Sequence, residues 1–138
     1  MKLFDTCVLI DAFDPQSPWH DKARAAIAFA VGTEGGAVNP VALAEAGANA
    51  EHPARVAADL EAFGLELVPL PVAAALPVAA AWRAYLDNRK ASGSPPAPKT
   101  PLPDFFIGAH AAAAKLALVT RDPARIKTYF AGVALEVL

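Results

Sequence analysis

Short apolar segments alternate along this chain with longer, alanine-rich segments that carry helical periodicity. The predicted strands cover residues 2–4, 37–38, 65–70, 117–120 and 133–138. The predicted helices cover residues 8–13, 21–31, 41–50, 53–63, 77–90, 104–116 and 123–130. Strands separated by helices pair in parallel, because a parallel pair needs a long crossover connection. The sequence therefore predicts a single α/β domain over residues 1–138, with a mainly parallel central sheet of four to five strands flanked by helices.

Local signals mark the ends of several elements. Asn39-Pro40 predicts a helix start, with asparagine as the N-cap and proline at the first helical position. Gly64 is placed to end the helix 53–63. Residues 91–103, ASGSPPAPKTPLP, hold too many prolines for a helix or a central strand. We expect this proline-rich segment to form an exposed loop or lid.

The composition argues against several classes of protein. The longest apolar run, residues 72–82, is much shorter than the roughly 20 residues that span a bilayer. The single cysteine, Cys7, excludes an internal disulfide and a thiolate zinc cluster. The net charge of −2 and the pI of about 5.9 give no net basic field for nucleic acid. We expect a cytoplasmic protein with neither a membrane segment nor a secretory signal.

Asp5 follows the first predicted strand and has apolar neighbours in the segment LFDTCVLIDAF. A carboxylate among apolar groups costs several kcal/mol unless it is solvated, paired or bound to a metal. Asp122 follows the predicted strand 117–120, and Glu45 lies early in the helix after strand 37–38. The carboxyl ends of parallel strands share one edge of the sheet, so we expect these acids at that edge. Asp104 joins them if the proline-rich loop returns the chain there.

Each acid also has an ordinary structural explanation. Asp104 follows Pro-Leu-Pro and is suited to be an N-cap. Glu45 is suited to be a solvent-facing residue of an alanine-rich helix. Asp122, before Pro123, is suited to cap the helix that follows. Taken one at a time, these acids do not decide between a structural and a functional role.

The strings FDTCVLIDAF, VALAEA and PDFFIGAHAAAAKLALVTRD occur in the order found in a PIN domain, and with the closing strand they cover essentially the whole chain. At this length the chain resembles a VapC-type toxin of a toxin–antitoxin pair. The resemblance implies a PIN-like fold and an endoribonuclease that needs Mg²⁺ or Mn²⁺. It also implies an RNA substrate, a homodimer and neutralisation by a cognate antitoxin.

The resemblance assigns four acids to the catalytic and metal site: Asp5, Glu45, Asp104 and Asp122. We expect Asp5 as the central ligand, Glu45 and Asp104 as completing ligands, and Asp122 as a second-metal or outer-sphere ligand. Clustered carboxylates repel one another without a cation, and they suit a hard divalent ion with oxygen ligands. Such an ion lowers the pKa of its bound water and offsets charge on a phosphate under attack.

Four supporting residues are predicted around these acids: Thr6, Thr120, Arg121 and Asn39. Thr6 and Thr120 match family positions that often contribute hydroxyls near the site. Arg121 is placed either to meet a phosphate or to pair with an acid. Asn39 stands where the family often has Ser or Thr, and asparagine caps a helix equally well. Cys7 stands where Asn or Ser is common, and we expect it to be a buried small apolar side chain.

Two other functions stay open from the sequence. A catalytically inactive PIN-like binding module would bind RNA without metal-dependent cleavage, and a housekeeping RNA-processing nuclease would share the fold and the acids. A nucleotide-binding α/β protein is disfavoured, because the chain has neither G-x-G-x-x-G nor G-x-x-x-x-G-K-[ST]. Apolar side chains over residues 82–86 are a candidate surface for a dimer or partner contact.

Overall fold

A computed structural model describes all 138 residues of the chain and contains five short strands. The strands are β1 (Lys2–Phe4), β2 (Gly36–Val38), β3 (Glu66–Leu67), β4 (Ala117–Thr120) and β5 (Leu135–Val137). They form one sheet in the order β3-β2-β1-β4-β5, and every neighbouring pair is parallel. The predicted single α/β domain with a parallel sheet is therefore confirmed.

Seven helices flank the sheet. They are α1 (Thr6–Phe13), α2 (His20–Thr33), α3 (Pro40–Ala48), α4 (Val56–Ala62), α5 (Ala75–Ala91), α6 (Pro103–Ala114) and α7 (Ala124–Tyr129). Short 3₁₀ turns over Pro53–Arg55 and Val72–Ala74 lead into α4 and α5. α1 packs on α2 and α3, and α6 packs on α3, α5 and α7. None of the helices combines the length and the hydrophobicity that a membrane crossing requires.

The central strands are buried, as expected for a parallel sheet with helices around it. Leu3, Phe4, Leu118 and Val119 are fully buried and belong to one core cluster. Their continuous apolar sequence, rather than an alternating one, follows from burial on both faces of the sheet. The core therefore fixes β1 and β4 as the rigid centre of the molecule.

The strand order has one reversal point, between β1 and β4. From β1 the chain winds outward through β2 and β3, and it then returns to the other side of β1 to add β4 and β5. In parallel sheets, ligands bind in the crevice at the carboxyl ends of the strands, where the order reverses. The residues that follow β1 and β4 therefore lie where a site is expected.

Several predicted boundaries need correction. The predicted strand 65–70 pairs only over Glu66–Leu67, since Pro69 and Pro71 cannot donate to a ladder. The predicted helix 53–63 begins as a 3₁₀ turn and becomes α-helical at Val56. Gly64, with φ +87°, ends α4 as predicted.

The prediction that apolar side chains of residues 82–86 form a contact surface is wrong for Trp82, the largest of these side chains. Trp82 is buried and stacks on Tyr85, with the two ring centroids 5.1 Å apart. Phe105 meets the Trp82 ring edge-on at 5.4 Å. Trp82 belongs to an aromatic cluster between α5 and α6, and it offers little surface to a partner.

Candidate active site

Asp5 lies at the switch point between β1 and β4 and caps the N-terminus of α1. Its backbone N–H donates to the Val119 carbonyl at 3.0 Å, which fixes it against β4. Its carboxylate accepts from the Thr6 N–H at 2.8 Å and from the Thr120 hydroxyl at 2.6 Å. The Cys7 thiol donates a weaker bond to the same carboxylate at 3.5 Å. Asp5 is only 8% exposed, so these donors replace water around a buried charge.

Glu45 projects from α3 toward the start of α1. The Thr6 hydroxyl donates to Glu45 Oε1 at 2.6 Å, which ties the glutamate to the residue beside Asp5. Glu45 is half-buried, so its interpretation as a plain solvent-facing residue is wrong. The position of Glu45 follows from the N-cap of α3, where Asn39 Oδ1 accepts from the Ala42 N–H at 2.9 Å and starts the helix at the sheet edge.

Asp104 lies in the first turn of α6, and it is not the N-cap of that helix. Leu102 holds the N-cap position, and no side chain caps the helix. The Arg125 Nη1 donates to Asp104 Oδ2 at 2.6 Å. The Arg125 guanidinium also lies over the rings of Tyr85 and Phe105, at 5.7 and 5.9 Å from their centroids. The proline-rich loop therefore returns the chain to the site, as Asp104 requires, and α7 supplies a counter-charge.

Asp122 is exposed, and its carboxylate accepts no hydrogen bond within the protein. Its backbone N–H donates to the Thr120 hydroxyl oxygen at 3.0 Å, so it reaches Asp5 only through that hydroxyl. Pro123 holds the N-cap position of α7, and no side chain caps this helix. The interpretation of Asp122 as a helix cap is therefore wrong, and Asp122 lies at the rim of the acid group.

Three of the four predicted acids lie close enough together for their charges to affect one another. Burial raises the pKa of Asp5, and the negative charge of Asp104 raises it further, against the bonds from Thr120 and Thr6. Burial likewise raises the pKa of Glu45, and the charges of Asp104 and Asp5 add to it. A carboxyl with a raised pKa is one whose charge is poorly compensated. Asp5 and Glu45 are therefore under-neutralised, and Asp104 lies near both of them in one acid cluster.

The three acids are not arranged as a closed metal cage. No three of the Asp, Glu, His and Cys side chains lie close enough together to hold an ion among them. Thr120, Thr6 and Arg125 each hold one oxygen of a different acid. The donor set nevertheless suits Mg²⁺ or Mn²⁺, because such ions are bound through one or two carboxylates and keep several waters.

The supporting residues divide into two groups. Thr6 and Thr120 contact the acids directly, each through its hydroxyl. Asn39 is buried and hydrogen-bonds none of the four acids, and its amide nitrogen lies 3.4 Å from His110 Nδ1. Arg121 pairs with Asp11 at 2.8 Å.

Cys7 is half-buried beside Asp5, and not the fully buried apolar side chain that we expected. Burial raises the pKa of its thiol, and the charge of Asp5 adds to that effect. A thiol that stays protonated serves as a weak hydrogen-bond donor to a carboxylate. Cys7 therefore belongs to the polar lining of the site.

Two charged residues of this region were missed from the sequence, Arg125 and Asp11. Asp11 lies in an apolar helix segment with the same kind of neighbours as Asp5, and this signal could have identified it as a second buried carboxylate. Arg125 carries no local signal, because its partner Asp104 comes from another helix.

The fold and the acid cluster define a parallel α/β domain with a carboxylate site at its topological switch point. The PIN domain family matches residues 2–130, and the chain belongs to this family. No curated protein matches the chain.

Solved structures share the fold over nearly the whole length. VapBC2 from Rickettsia felis, bound to a DNA fragment from its promoter, matches with a TM-score of 0.66 and 16% identity, covering 99% of this chain and 97% of that chain. FitAcB from Neisseria gonorrhoeae matches with a TM-score of 0.65 and 22% identity, covering 98% and 96%. DNA-bound VapBC from Salmonella typhimurium matches with a TM-score of 0.62 and 22% identity, covering 99% and 98%. At these identities the likeness concerns the fold.

Proposed function

We propose that the chain is a metal-dependent endoribonuclease and the toxin of a type II toxin–antitoxin system. PIN-domain proteins are in general nucleases, which supports hydrolysis of a phosphodiester bond. The observation that carries the proposal is the position of Asp5, Glu45 and Asp104 at the switch point of the sheet, where Thr6 bonds both Asp5 and Glu45 and the charge of Asp104 acts on both. An uncompensated acid cluster weakens a metal-free protein, and a divalent cation turns it into a stabilised site.

Within this proposal, Asp5 would be the central ligand of Mg²⁺ or Mn²⁺, with Glu45 and Asp104 bound directly or through water and Asp122 as an outer or second-ion ligand. A bound ion supplies an activated water and offsets phosphate charge. The chain's own residues keep the ligands in place: Thr120 and the Thr6 N–H orient the Asp5 carboxylate. The Thr6 hydroxyl orients Glu45 in the same way. Such hydrogen bonds to ligand carboxylates fix their direction before the ion arrives.

The proposed partners follow from the same comparison. Among the solved structures that share the fold are VapBC complexes, which supports a cognate antitoxin as partner. We propose RNA as the substrate, a homodimer as the functional form and the cytoplasm as the site of action. A gene for a small DNA-binding protein directly upstream is the expected genomic setting.

The direct test is cleavage of a labelled single-stranded RNA with Mn²⁺ and with EDTA. We expect cleavage only with Mn²⁺, and a loss of about 10²–10³-fold in Asp5→Asn, the order of magnitude for removing one electrostatic group from an active site. Glu61→Gln is a matched control, because Glu61 is exposed on α4 and only its backbone carbonyl, which the substitution keeps, accepts a hydrogen bond. Binding of RNA without Mn²⁺-dependent cleavage would instead indicate an inactive binding module.

A second experiment separates the toxin from a housekeeping nuclease. Expression of the wild-type chain alone should arrest growth, and Asp5→Ala should restore it. Growth that continues despite an active nuclease in the cell extract would contradict the toxin role while leaving the chemistry intact.

A further inference from the structure

Arg121 directly follows β4, and its backbone lies at the edge of the acid cluster. Its backbone N–H donates to Cys7 Sγ at 3.5 Å, and the Cys7 thiol in turn contacts Asp5. Its side chain turns toward α1, where the Arg121 Nε donates to Asp11 Oδ2 at 2.8 Å. Asp11 is six positions beyond Asp5, about 9 Å along a helix that rises 1.5 Å per residue. Arg121 therefore lies beside the proposed site and points along α1.

Asp11 holds the guanidinium from a buried position. Its side chain is 7% exposed, and its other oxygen accepts from the Ser17 hydroxyl at 2.8 Å. With both oxygens engaged, the carboxylate has a fixed orientation. An ion pair with one buried and fixed partner restricts the arginine far more than an exposed pair does. Arg121 is thus preorganised without any ligand.

The outer part of the guanidinium is free. Only Nε of the side chain donates within the protein, and neither terminal nitrogen has a hydrogen-bond partner. The Arg121 side chain is 39% exposed, so these two groups reach solvent. They are the fork that binds the two oxygens of a phosphate in a bidentate manner.

Further positive charge and an aromatic face adjoin this fork. The Arg121 guanidinium lies 5.9 Å from the centroid of the Trp19 ring, and the Lys22 ammonium lies 4.9 Å from the same ring. Cations beside a partly exposed aromatic ring are a typical surface for single-stranded nucleic acid. The acids at the site repel a phosphodiester, and these cations offset that repulsion next to it.

We propose that Arg121, anchored by Asp11, binds a backbone phosphate of the RNA strand next to the cleavage site. The inference rests on the proposed function, because it names a substrate contact for the same reaction. A purely structural ion pair would explain the bond from Nε to Asp11. It would not give the terminal nitrogens any role, and the two explanations predict different kinetics.

The test uses two variants that leave no unpaired buried charge at position 11. Arg121→Lys keeps a cation for Asp11 but removes the fork, and the double variant Asp11→Asn with Arg121→Gln replaces the ion pair by a neutral amide pair. Arg83→Gln is the matched control, since Arg83 is a highly exposed arginine whose contact with Asp87 is only 3.9 Å long. Each protein is compared by its unfolding midpoint, its KM and kcat for a short single-stranded RNA with Mn²⁺, and its RNA affinity by fluorescence anisotropy.

For both Arg121 variants we expect KM and the RNA dissociation constant to rise about tenfold, with little change in kcat. For the double variant we also expect the slope of log affinity against log salt to shrink by about 0.7, the value for one phosphate contact on a single strand, whereas Arg121→Lys keeps its charge and should keep the slope. Arg83→Gln should match the wild type. The inference is overturned if either variant folds and keeps the wild-type KM, affinity and salt slope.

The outcomes also separate this inference from the proposed function. A wild-type chain that binds RNA without cutting it contradicts the nuclease, while the anisotropy series still tests Arg121. A wild-type chain that neither binds nor cuts RNA overturns both. Cleavage that is metal-dependent but insensitive to both Arg121 variants overturns only the role of Arg121.

Discussion

Replacing Asp5 by asparagine removes a buried charge and keeps the size of the side chain. The amide oxygen can still accept from the Thr6 N–H, and the amide N–H₂ can donate to the Thr120 hydroxyl oxygen, which reverses that bond. The raised pKa of Asp5 shows that burial and the charge of Asp104 outweigh these bonds in the wild type. We therefore expect Asp5→Asn to stabilise the metal-free protein near neutral pH.

The raised pKa fixes the sign of this change: without metal, Asp5→Asn should be the more stable of the two proteins. Bound Mn²⁺ should instead make the wild type more stable than Asp5→Asn. At about 100 times its dissociation constant, an ion stabilises the wild type by about 2.7 kcal/mol, and Asp5→Asn should lose most of this gain. The stability order of the two proteins should therefore invert between EDTA and saturating Mn²⁺.

Denaturant unfolding of both proteins, followed by circular dichroism in each condition, measures this inversion. Glu61→Gln should follow the wild type in EDTA and in Mn²⁺. If Asp5→Asn is less stable than the wild type in EDTA, or if Mn²⁺ stabilises both proteins equally, the role given to the Asp5 charge is refuted.

Three further predictions concern the metal, the packing and the pH dependence. Arg125→Gln removes a cation that competes with the metal for Asp104, the proposed ligand. The Mn²⁺ dissociation constant, measured by calorimetry, should fall by about tenfold, and a rise would contradict this role. Gly108→Ala would place a Cβ 2.5 Å from the Phe130 ring, so the free energy of unfolding should fall by about 1–3 kcal/mol, and an unchanged denaturant midpoint would contradict it. Folding raises the pKa values of Asp5 and Glu45 above the ordinary carboxyl pKa of about 4. At pH values between the ordinary and the raised pKa, the folded state therefore binds more protons than the unfolded state. The contribution of these two carboxyls to the stability of the metal-free protein is therefore lost as pH rises through that range. Asp5→Asn should weaken this pH dependence. Identical pH profiles of unfolding for the variant and the wild type would contradict the prediction.

The parallel sheet was predictable because each element has a local cause. Apolar runs without alternation produced β1 and β4, and the Asn39-Pro40 cap placed α3 with Glu45 at the correct edge. The edge strand β3 was overestimated because its apolar sequence extends past its pairing, which Pro69 and Pro71 end. Apolar character predicts burial more directly than it predicts hydrogen bonding.

The chemistry of the site was less accessible from the sequence. The acids were found because they follow strands or lie near the starts of helices, and such positions can be recognised in the sequence. Arg125 and Asp11 were missed because their partners, Asp104 and Arg121, are distant in the chain. Contacts of this kind depend on how α6 packs on α7 and how α1 packs on β4, which a single sequence does not state.

A crystal of the protein soaked with Mn²⁺, examined by anomalous diffraction at the manganese edge, tests the central claim most directly. The claim predicts an anomalous peak at about 2.1–2.3 Å from an Asp5 oxygen, with Asp104 or Glu45 bound directly or through water. A peak elsewhere, or none at saturating Mn²⁺, would contradict it.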